Sequence, residues 1–113
     1  MKIIVVPLDK EAEIALNFDS ATPKQLIELR LTDSVFYTLF NLNFFSKINQ
    51  LADCNIDDFE DEKINSKQKI ELILKDSSLF SITHTVKINR TIKSIQNLFK
   101  EAYHRNTGIY FYF

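Results

Sequence analysis

Residues 91–113 read TIKSIQNLFKEAYHRNTGIYFYF, and this stretch indicates both a helix and a strand. Five apolar residues in its first part recur at helical spacing and would share one face of a helix: Ile92, Ile95, Phe99, Ala102 and Tyr103. Thr91 would cap this helix, and Gly108, the only glycine in the chain, would close it. Ile109–Phe113 follows as a strand that is aromatic on both faces, so we expect it to be buried on both sides.

The elements before this stretch are predicted in the same way. The β-branched run Lys2–Val6 is typical of a buried strand, and the alternation of apolar residues over 12–18 predicts a second strand in a hairpin with it. Thr22 and Gln25 form a capping-box pattern around Pro23, which predicts a helix that continues to Arg30.

A second cap at residues 32–34 precedes Val35–Leu51, which we interpret as a buried helix although Val35–Phe45 also alternates in places like a strand. Alternation over Lys69–Lys75 and again over Phe80–Ile88 predicts another hairpin. The predicted order is β-β-α-α-β-β-α-β. This order describes one α+β domain over residues 1–113, with about three helices packed on a mostly antiparallel sheet.

Composition narrows the class of protein. The chain has 113 residues, 45% of them hydrophobic, which suits a single domain with its own core. The single cysteine excludes an internal disulfide, and no run is long enough for a signal peptide or a membrane span, so we expect a cytoplasmic protein that binds no membrane. One glycine is too few for a phosphate-binding loop, a dinucleotide fingerprint or a nucleophile elbow, and we expect no cofactor.

Charge is divided sharply along the sequence. Residues 1–62 carry a net charge of −7 and residues 63–113 a net charge of +6, which the overall −1 conceals. Six acids fall within residues 53–62, with no base among them, and such a block repels itself unless a basic partner meets it. We therefore predict a partner-binding surface that consists of Asp53, Asp57, Asp58, Phe59, Glu60, Asp61 and Glu62.

A metal site is not expected in this block. Asp53, Asn55 and Asp57 match the first ligands of an EF-hand loop. The match then fails, because Asp58 occupies the position of the required glycine and Ile64 that of the bidentate glutamate.

Two histidines allow an alternative hypothesis, a small metal-independent nuclease that uses His84 or His104, together with Arg90 or Lys87, in general acid–base catalysis. The more ordinary interpretation places His84 on the apolar face of a strand and His104 in the last turn of a helix. Cys54 is not expected to be a nucleophile, since the surrounding acids would raise the pKa of its thiol. The basic residues of the second half are interspersed along three predicted elements, and we do not expect direct nucleic-acid binding.

The acidic block and Phe59, in a small α+β protein without a catalytic motif, resemble bacterial immunity proteins of contact-dependent growth inhibition. The resemblance implies a non-enzymatic inhibitor whose acidic surface covers a cognate toxin domain, often a nuclease with a basic cleft. The basic second half departs from a uniformly acidic inhibitor. A third hypothesis is a homo-oligomeric structural protein, joined through Ile109–Phe113 as an edge strand.

Overall fold

Four strands and five helices make up the part of the chain that the computed structural model describes, residues 2–113. The strands are β1 (Lys2–Pro7), β2 (Leu26–Leu31), β3 (Asp61–Ile64) and β4 (Ile109–Tyr112). The helices are α1 (Lys10–Asn17), α2 (Asp33–Asn41), α3 (Phe44–Ala52), α4 (Lys67–Lys75) and α5 (Val86–Arg105). The predicted α+β class is confirmed, with more helices than predicted and in a different order along the chain.

The sheet is antiparallel throughout, with the strand order β2-β1-β4-β3. Strand β4 is central, since Tyr110 lies opposite Val5 of β1 on one side and Lys63 of β3 on the other. The expected burial of the terminal aromatic strand is confirmed. The same pairing contradicts the hypothesis that Ile109–Phe113 is an edge strand open to a second copy, because both of its sides are already hydrogen-bonded.

One face of the sheet carries the main core. Ile4, Val6 and Phe111 point to this face and pack against helices α2 to α5. The aromatic centre of the core is Phe36, whose ring lies 5.5 Å from that of Phe45 and 4.9 Å from that of Phe113, measured between ring centroids. Edge-to-face and offset contacts of this kind stabilise aromatic clusters beyond the area that they bury.

Helix α1 covers part of the opposite face, where a buried carboxylate fixes it. Glu13 is 8% exposed, and its Oε2 accepts hydrogen bonds from the Gly108 amide at 2.7 Å and from the Tyr110 hydroxyl at 3.0 Å. A Cβ on residue 108 would lie 2.9 Å from that Oε2 and 3.1 Å from the carbonyl oxygen of Ile64. Glycine is therefore needed at residue 108 because the Glu13 carboxylate and the Ile64 carbonyl lie too close for a side chain. It does not end α5 as predicted: the left-handed residue that caps this helix is Asn106, with φ 55°.

The prediction of a second strand at residues 12–18 is wrong, because this segment is α1. Asp9 caps the helix, with its Oδ1 accepting from the Ala12 amide at 2.8 Å. The alternating apolar residues do not share a buried face: Ile14 is 60% exposed and Phe18 is 77% exposed. The alternation of apolar residues in this segment therefore does not indicate a strand with one buried face.

The prediction of a helix from Pro23 to Arg30 is also wrong. The Gln25 side chain does accept from the Thr22 amide at 3.0 Å, as a capping box requires. The helix ends after one 3-10 turn, Pro23–Gln25, and Leu26–Leu31 continues as β2 against β1. Pairing along the whole of β1 stabilises the extended form of this segment against its local helical signal.

The hairpin predicted over residues 69–88 is absent, and this correction is the largest. Ser66 caps α4 and Ile70 and Ile73 are buried at helical spacing, so Lys69–Lys75 is helical. Residues 80–85 form an irregular segment that leads to the Thr85 cap of α5. The helix thus begins before Thr91, while its predicted apolar face, including Ile92 and Phe99, is buried as expected.

The helical interpretation of Val35–Leu51 is confirmed, with an interruption. Leu42 and Asn43 divide the segment into α2 and α3, and Asn43 adopts the left-handed conformation with φ 63°. Thr32 caps α2 as predicted, with its Oγ1 accepting from the Val35 amide at 3.2 Å. Helix α3 then leads directly into the acidic residues.

Candidate functional site

The acidic segment, residues 53–62, leaves α3 at Asp53 and enters β3 at Asp61. Ile56 anchors it in the core, and the Asn49 side chain of α3 holds the Ile56 backbone on both sides. Asn49 Oδ1 accepts from the Ile56 amide at 2.7 Å, and Asn49 Nδ2 donates to the Ile56 carbonyl at 3.0 Å. The segment is therefore fixed by contacts within the protein itself, and its side chains have defined positions.

Asp58 is engaged inside the protein. Its carboxylate forms an ion pair with the ammonium group of Lys2, a residue that is only 7% exposed, and accepts from the Tyr37 hydroxyl at 2.7 Å. Lys2 Nζ also donates to the main-chain oxygen of Phe113 at 3.0 Å and lies 4.6 Å from the centroid of the Phe36 ring. The hydrogen bonds from Lys2 and then from Tyr37 hold the pKa of Asp58 below its ordinary value. Of the predicted surface residues, Asp58 is the one that joins β1, α2 and the acidic segment.

Phe59 projects into solvent from a fixed backbone. It is 88% exposed and adopts the left-handed conformation, with φ 61°, which costs energy for a residue with a side chain. Its amide donates to Asp58 Oδ1 at 3.0 Å and to the main-chain oxygen of Phe113 at 3.1 Å, and these bonds hold the turn. An exposed aromatic ring on a strained, hydrogen-bonded turn is characteristic of a binding residue.

The other five acids of the segment form no ion pair with a cationic side chain among residues 2–113. Asp53, Glu60 and Asp61 are exposed, whereas Asp57 and Glu62 are partly buried. Glu62 accepts from the Asn55 amide at 2.8 Å, and Glu60 accepts from the Asn55 side chain at 2.9 Å. These hydrogen bonds order the segment but leave its negative charges unneutralised, so the surface attracts cations.

The acidic segment continues onto the outer face of the sheet, which is the face opposite the main core. In β3, Asp61 shares this face with Tyr112, directly opposite it on β4. Burial raises the pKa of Tyr112, and the neighbouring charges of Asp61 and Asp19 raise it further. A shallow cavity of about 250 Å³ lies here, lined by Asp61, Glu62, Lys63, Tyr110 and Tyr112. An acidic, tyrosine-lined cavity thus adjoins the acidic segment.

The two histidines are far apart. His84 is exposed in the irregular segment before α5, instead of lying on an apolar strand face, and His104 is exposed in the last turn of α5. The rise of α5 from Val86 to His104 is about 27 Å, and His84 precedes the start of the helix, so the two histidines lie at opposite ends of α5. One substrate bond cannot reach both imidazoles, so the two histidines cannot act as a pair on the same bond. The form of the hypothesis that uses one histidine with Arg90 or Lys87 stays a prediction.

Cys54 lies half-buried beside Asn49, with its Sγ 3.3 Å from Asn49 Oδ1. Burial raises the pKa of the thiol to about 11, and the Glu62 carboxylate adds to this effect. The direction agrees with the sequence argument, but burial is a larger cause than the acidic field. In the part of the chain described here, no group of three or more His, Cys, Asp or Glu side chains is placed to hold a metal ion.

The two residues that position the segment were not indicated by any sequence pattern. Lys2 and Tyr37 contact Asp58 from 56 and 21 positions away in the chain. No local pattern marks such pairs. The only available signal was a lysine at the start of an apolar strand, where its ammonium group would require an acceptor.

No family model, curated protein or solved structure matches this chain. No helix within residues 2–113 is long and apolar enough to cross a membrane. The geometry and charge of the acidic segment are therefore the features that bear on function.

Proposed function

We propose that this protein is a bacterial immunity protein that binds a cognate toxin domain through the acidic segment and blocks its action without catalysis of its own. The observation that carries the proposal is Phe59, an 88% exposed aromatic ring held in a strained turn of a segment in which five acids form no ion pair with a described residue. Binding interfaces typically place an aromatic anchor within a polar rim in this way.

The charges favour a partner with a basic surface, such as the substrate cleft of a nuclease. Asp53, Asp57, Glu60, Asp61 and Glu62 have no cationic partner among the described residues, so a basic partner would neutralise charges that now repel one another. Complementary charge accelerates association, and burial of the Phe59 ring slows dissociation. Such an inhibitor acts by occupying the toxin's surface.

The test is co-expression of this chain with the toxin domain encoded immediately upstream in its own genome, scored by growth and by co-purification. We expect the chain to restore growth and to form a stable complex with the toxin. If growth is not restored, or if this chain is itself toxic, the proposal is wrong.

A charge variant then maps the surface. The triple variant Asp57→Asn, Glu60→Gln, Asp61→Asn removes three charges, preserves the hydrogen-bond acceptors of these side chains and leaves the Asp58–Lys2 ion pair intact. We expect slower association and a weaker dependence of the affinity on salt.

The matched control, Glu11→Gln, Glu71→Gln, Glu101→Gln, changes the net charge by the same amount on α1, α4 and α5. It should bind the toxin like the unmodified protein. Equal binding by both triple variants would show that the acidic segment is not the interface.

A further inference from the structure

Two tyrosines of β4 line the shallow cavity on the outer face of the sheet. Phe111 packs in the main core, so its neighbours along the strand, Tyr110 and Tyr112, point to the opposite face. Their rings are nearly parallel, with 6.4 Å between the centroids and 19° between the planes. On the adjacent strand, Lys63 lies opposite Tyr110 and Asp61 lies opposite Tyr112. The cavity therefore combines two aromatic rings with charged side chains of β3.

The size of the cavity limits what it can hold. Its volume of about 250 Å³ is below the roughly 300–1,000 Å³ that is usual for sites that enclose cofactors or other small molecules. It is also open along one side, since it lies on the surface of a sheet. Such a space suits one long side chain that projects from a partner protein.

The two rings differ in their surroundings. Tyr110 is 4% exposed, and its hydroxyl donates to Glu13 Oε2 at 3.0 Å, so its ring is a fixed wall of the cavity. Tyr112 is only partly buried, at the end of β4 that lies beside Asp61. Tyr112 is therefore the ring that a partner side chain can contact.

The surroundings of this ring attract cations. Burial raises the pKa of Tyr112, and the charges of Asp61 and Asp19 raise it further, so both carboxylates act at this place. The face of an aromatic ring also attracts a cation. The chain itself provides an example at the neighbouring ring, where Lys63 Nζ lies 6.0 Å from the centroid of Tyr110.

We propose that the cavity binds the guanidinium group of an arginine side chain of the protein partner, stacked on the Tyr112 ring and paired at its edge with the Asp61 carboxylate. That this partner is the toxin rests on the proposed function. A guanidinium group fits better than an ammonium group, because it is planar, weakly hydrated and able to donate two parallel hydrogen bonds to one carboxylate.

The cavity and the acidic segment form one continuous surface, because Asp61 belongs to both. Arginine and tyrosine are among the residues that contribute most to protein interfaces. A toxin surface that places an apolar pocket on Phe59 and an arginine on Tyr112 would use both ends of this surface.

The first test needs no toxin. The full chain is titrated with Nα-acetyl-arginine amide and followed by NMR, with the corresponding citrulline and lysine amides as matched probes. Citrulline has the shape of arginine without its charge, and lysine has the charge without the planar group. We expect the arginine probe to have the lowest dissociation constant and to shift the resonances of Asp61 and Tyr112. Equal binding of either matched probe, or shifts confined to other residues, would overturn the proposal and leave the proposed function, which depends on Phe59, untouched.

Variants of the ring test the stacking. Tyr112→Leu removes the ring and should raise the dissociation constant of the arginine probe about fivefold, whereas Tyr112→Phe keeps the ring and should bind like the unmodified protein. Tyr103→Leu is the control, since it removes a ring on α5 whose centroid lies 4.6 Å from Lys67 Nζ, and it should leave binding of the probe unchanged.

Charge variants test the pairing. Asp61→Asn changes an exposed residue, so the fold should persist, and the dissociation constant of the probe should rise about two- to fivefold. Lys63→Gln removes a cation that repels the guanidinium group and should bind the probe more tightly. Unchanged affinity in Asp61→Asn would overturn the proposal even where Tyr112→Leu does not fold.

The toxin complex tests the source of the arginine. Tyr112→Leu should raise the dissociation constant of the complex by about tenfold or more. Unchanged affinity of this variant for the toxin would overturn the proposal, even if the probe binds. A toxin that does not bind the unmodified chain at all would contradict the proposed function, and binding of the arginine probe would still support the guanidinium site.

Discussion

Replacement of Phe59 by glycine should separate binding from stability. At most positions, replacing an exposed aromatic residue by glycine removes the side chain and also destabilises the backbone, so the two effects cannot be separated. Here the backbone is left-handed, with φ 61°, a conformation that glycine adopts without a steric penalty. The variant therefore removes the proposed anchor and relieves the turn that presents it.

The stability terms nearly cancel. Relief of the left-handed backbone favours the folded variant by about 1–2 kcal/mol, and the added freedom of glycine in the unfolded chain opposes it by about 0.5–1 kcal/mol. Because the ring is 88% exposed, only about a tenth of its ~200 Å² is buried, which is worth about 0.5 kcal/mol. The contact with Lys2, whose Nζ lies 5.2 Å from the ring centroid, adds about 0.5 kcal/mol. The free energy of unfolding should therefore change by no more than about 1 kcal/mol in either direction.

Urea unfolding measures the stability, and calorimetric titration with the toxin domain measures the affinity. An anchor residue contributes about 2 kcal/mol or more to binding, so we expect the dissociation constant to rise about 30-fold or more. Phe59→Ala, which keeps the left-handed strain, should bind as weakly as Phe59→Gly and should be the less stable of the two by about 1 kcal/mol.

Phe18→Ala is the control, since it removes another largely exposed ring, at the end of α1, and should leave binding unchanged. Two results would refute the reasoning. Unfolding of Phe59→Gly at much lower urea would mean that the ring belongs to the fold, and an unchanged dissociation constant would mean that it is not the anchor.

Three other measurements test the groups that hold the structure together. Lys2, followed by Tyr37, lowers the pKa of Asp58, so its charged form stabilises the fold above about pH 4 and this contribution is lost at lower pH. Below about pH 4, the free energy of unfolding of Asp58→Asn should fall less than that of the unmodified protein. An equal fall would show that the Asp58 charge does not stabilise the fold. Glu13→Ala should lower the free energy of unfolding in urea by about 1–3 kcal/mol, because the buried Gly108 amide loses its acceptor and the Tyr110 hydroxyl keeps only Asn17 Oδ1, at 3.3 Å. No measurable loss would show that water replaces the carboxylate. The Cys54 thiol, with its pKa raised to about 11, should react with a thiol reagent at pH 8 about 100-fold more slowly in the folded than in the unfolded chain, and equal rates would show that the thiol is not protected.

The fold class was predictable because the longest and most regular apolar patterns in the sequence indicated the correct elements. The apolar face of α5, the β-branched strand β1 and the aromatic strand β4 all lie in the core as expected. Errors came from short segments with alternating apolar residues, which fit both periods. In α4, Ile70 and Ile73 are buried while Leu72 is 54% exposed, so a three-residue spacing, and not the two-residue alternation, describes its buried face. The caps at Asp9 and Ser66 were the local evidence for helices in these segments.

The acidic segment was recognisable from its composition. Which of its acids form contacts within the protein was not. Charge density identifies a region that repels itself, but it does not show that Asp58 neutralises a buried lysine while Glu60 and Asp61 form no ion pair with a described residue. That distinction depends on β1 and α2 lying next to the segment in space. For the same reason the sequence could not show that β4 is central and β2 is an edge, since strand order is a property of the whole sheet.

The central position of β4 has a consequence for the order of folding. Its partner β1 lies at the other end of the described chain, and the Lys2 contact with Phe113 spans 111 positions. Until β4 is in place, β1 can pair only with β2, and β3 has no neighbour. Closing so long a loop is slow, so we expect formation of the β1–β4 ladder to limit the folding rate. Before that step the hydrophobic strand β1 is unpaired on one side, and a nascent chain is then most exposed to aggregation.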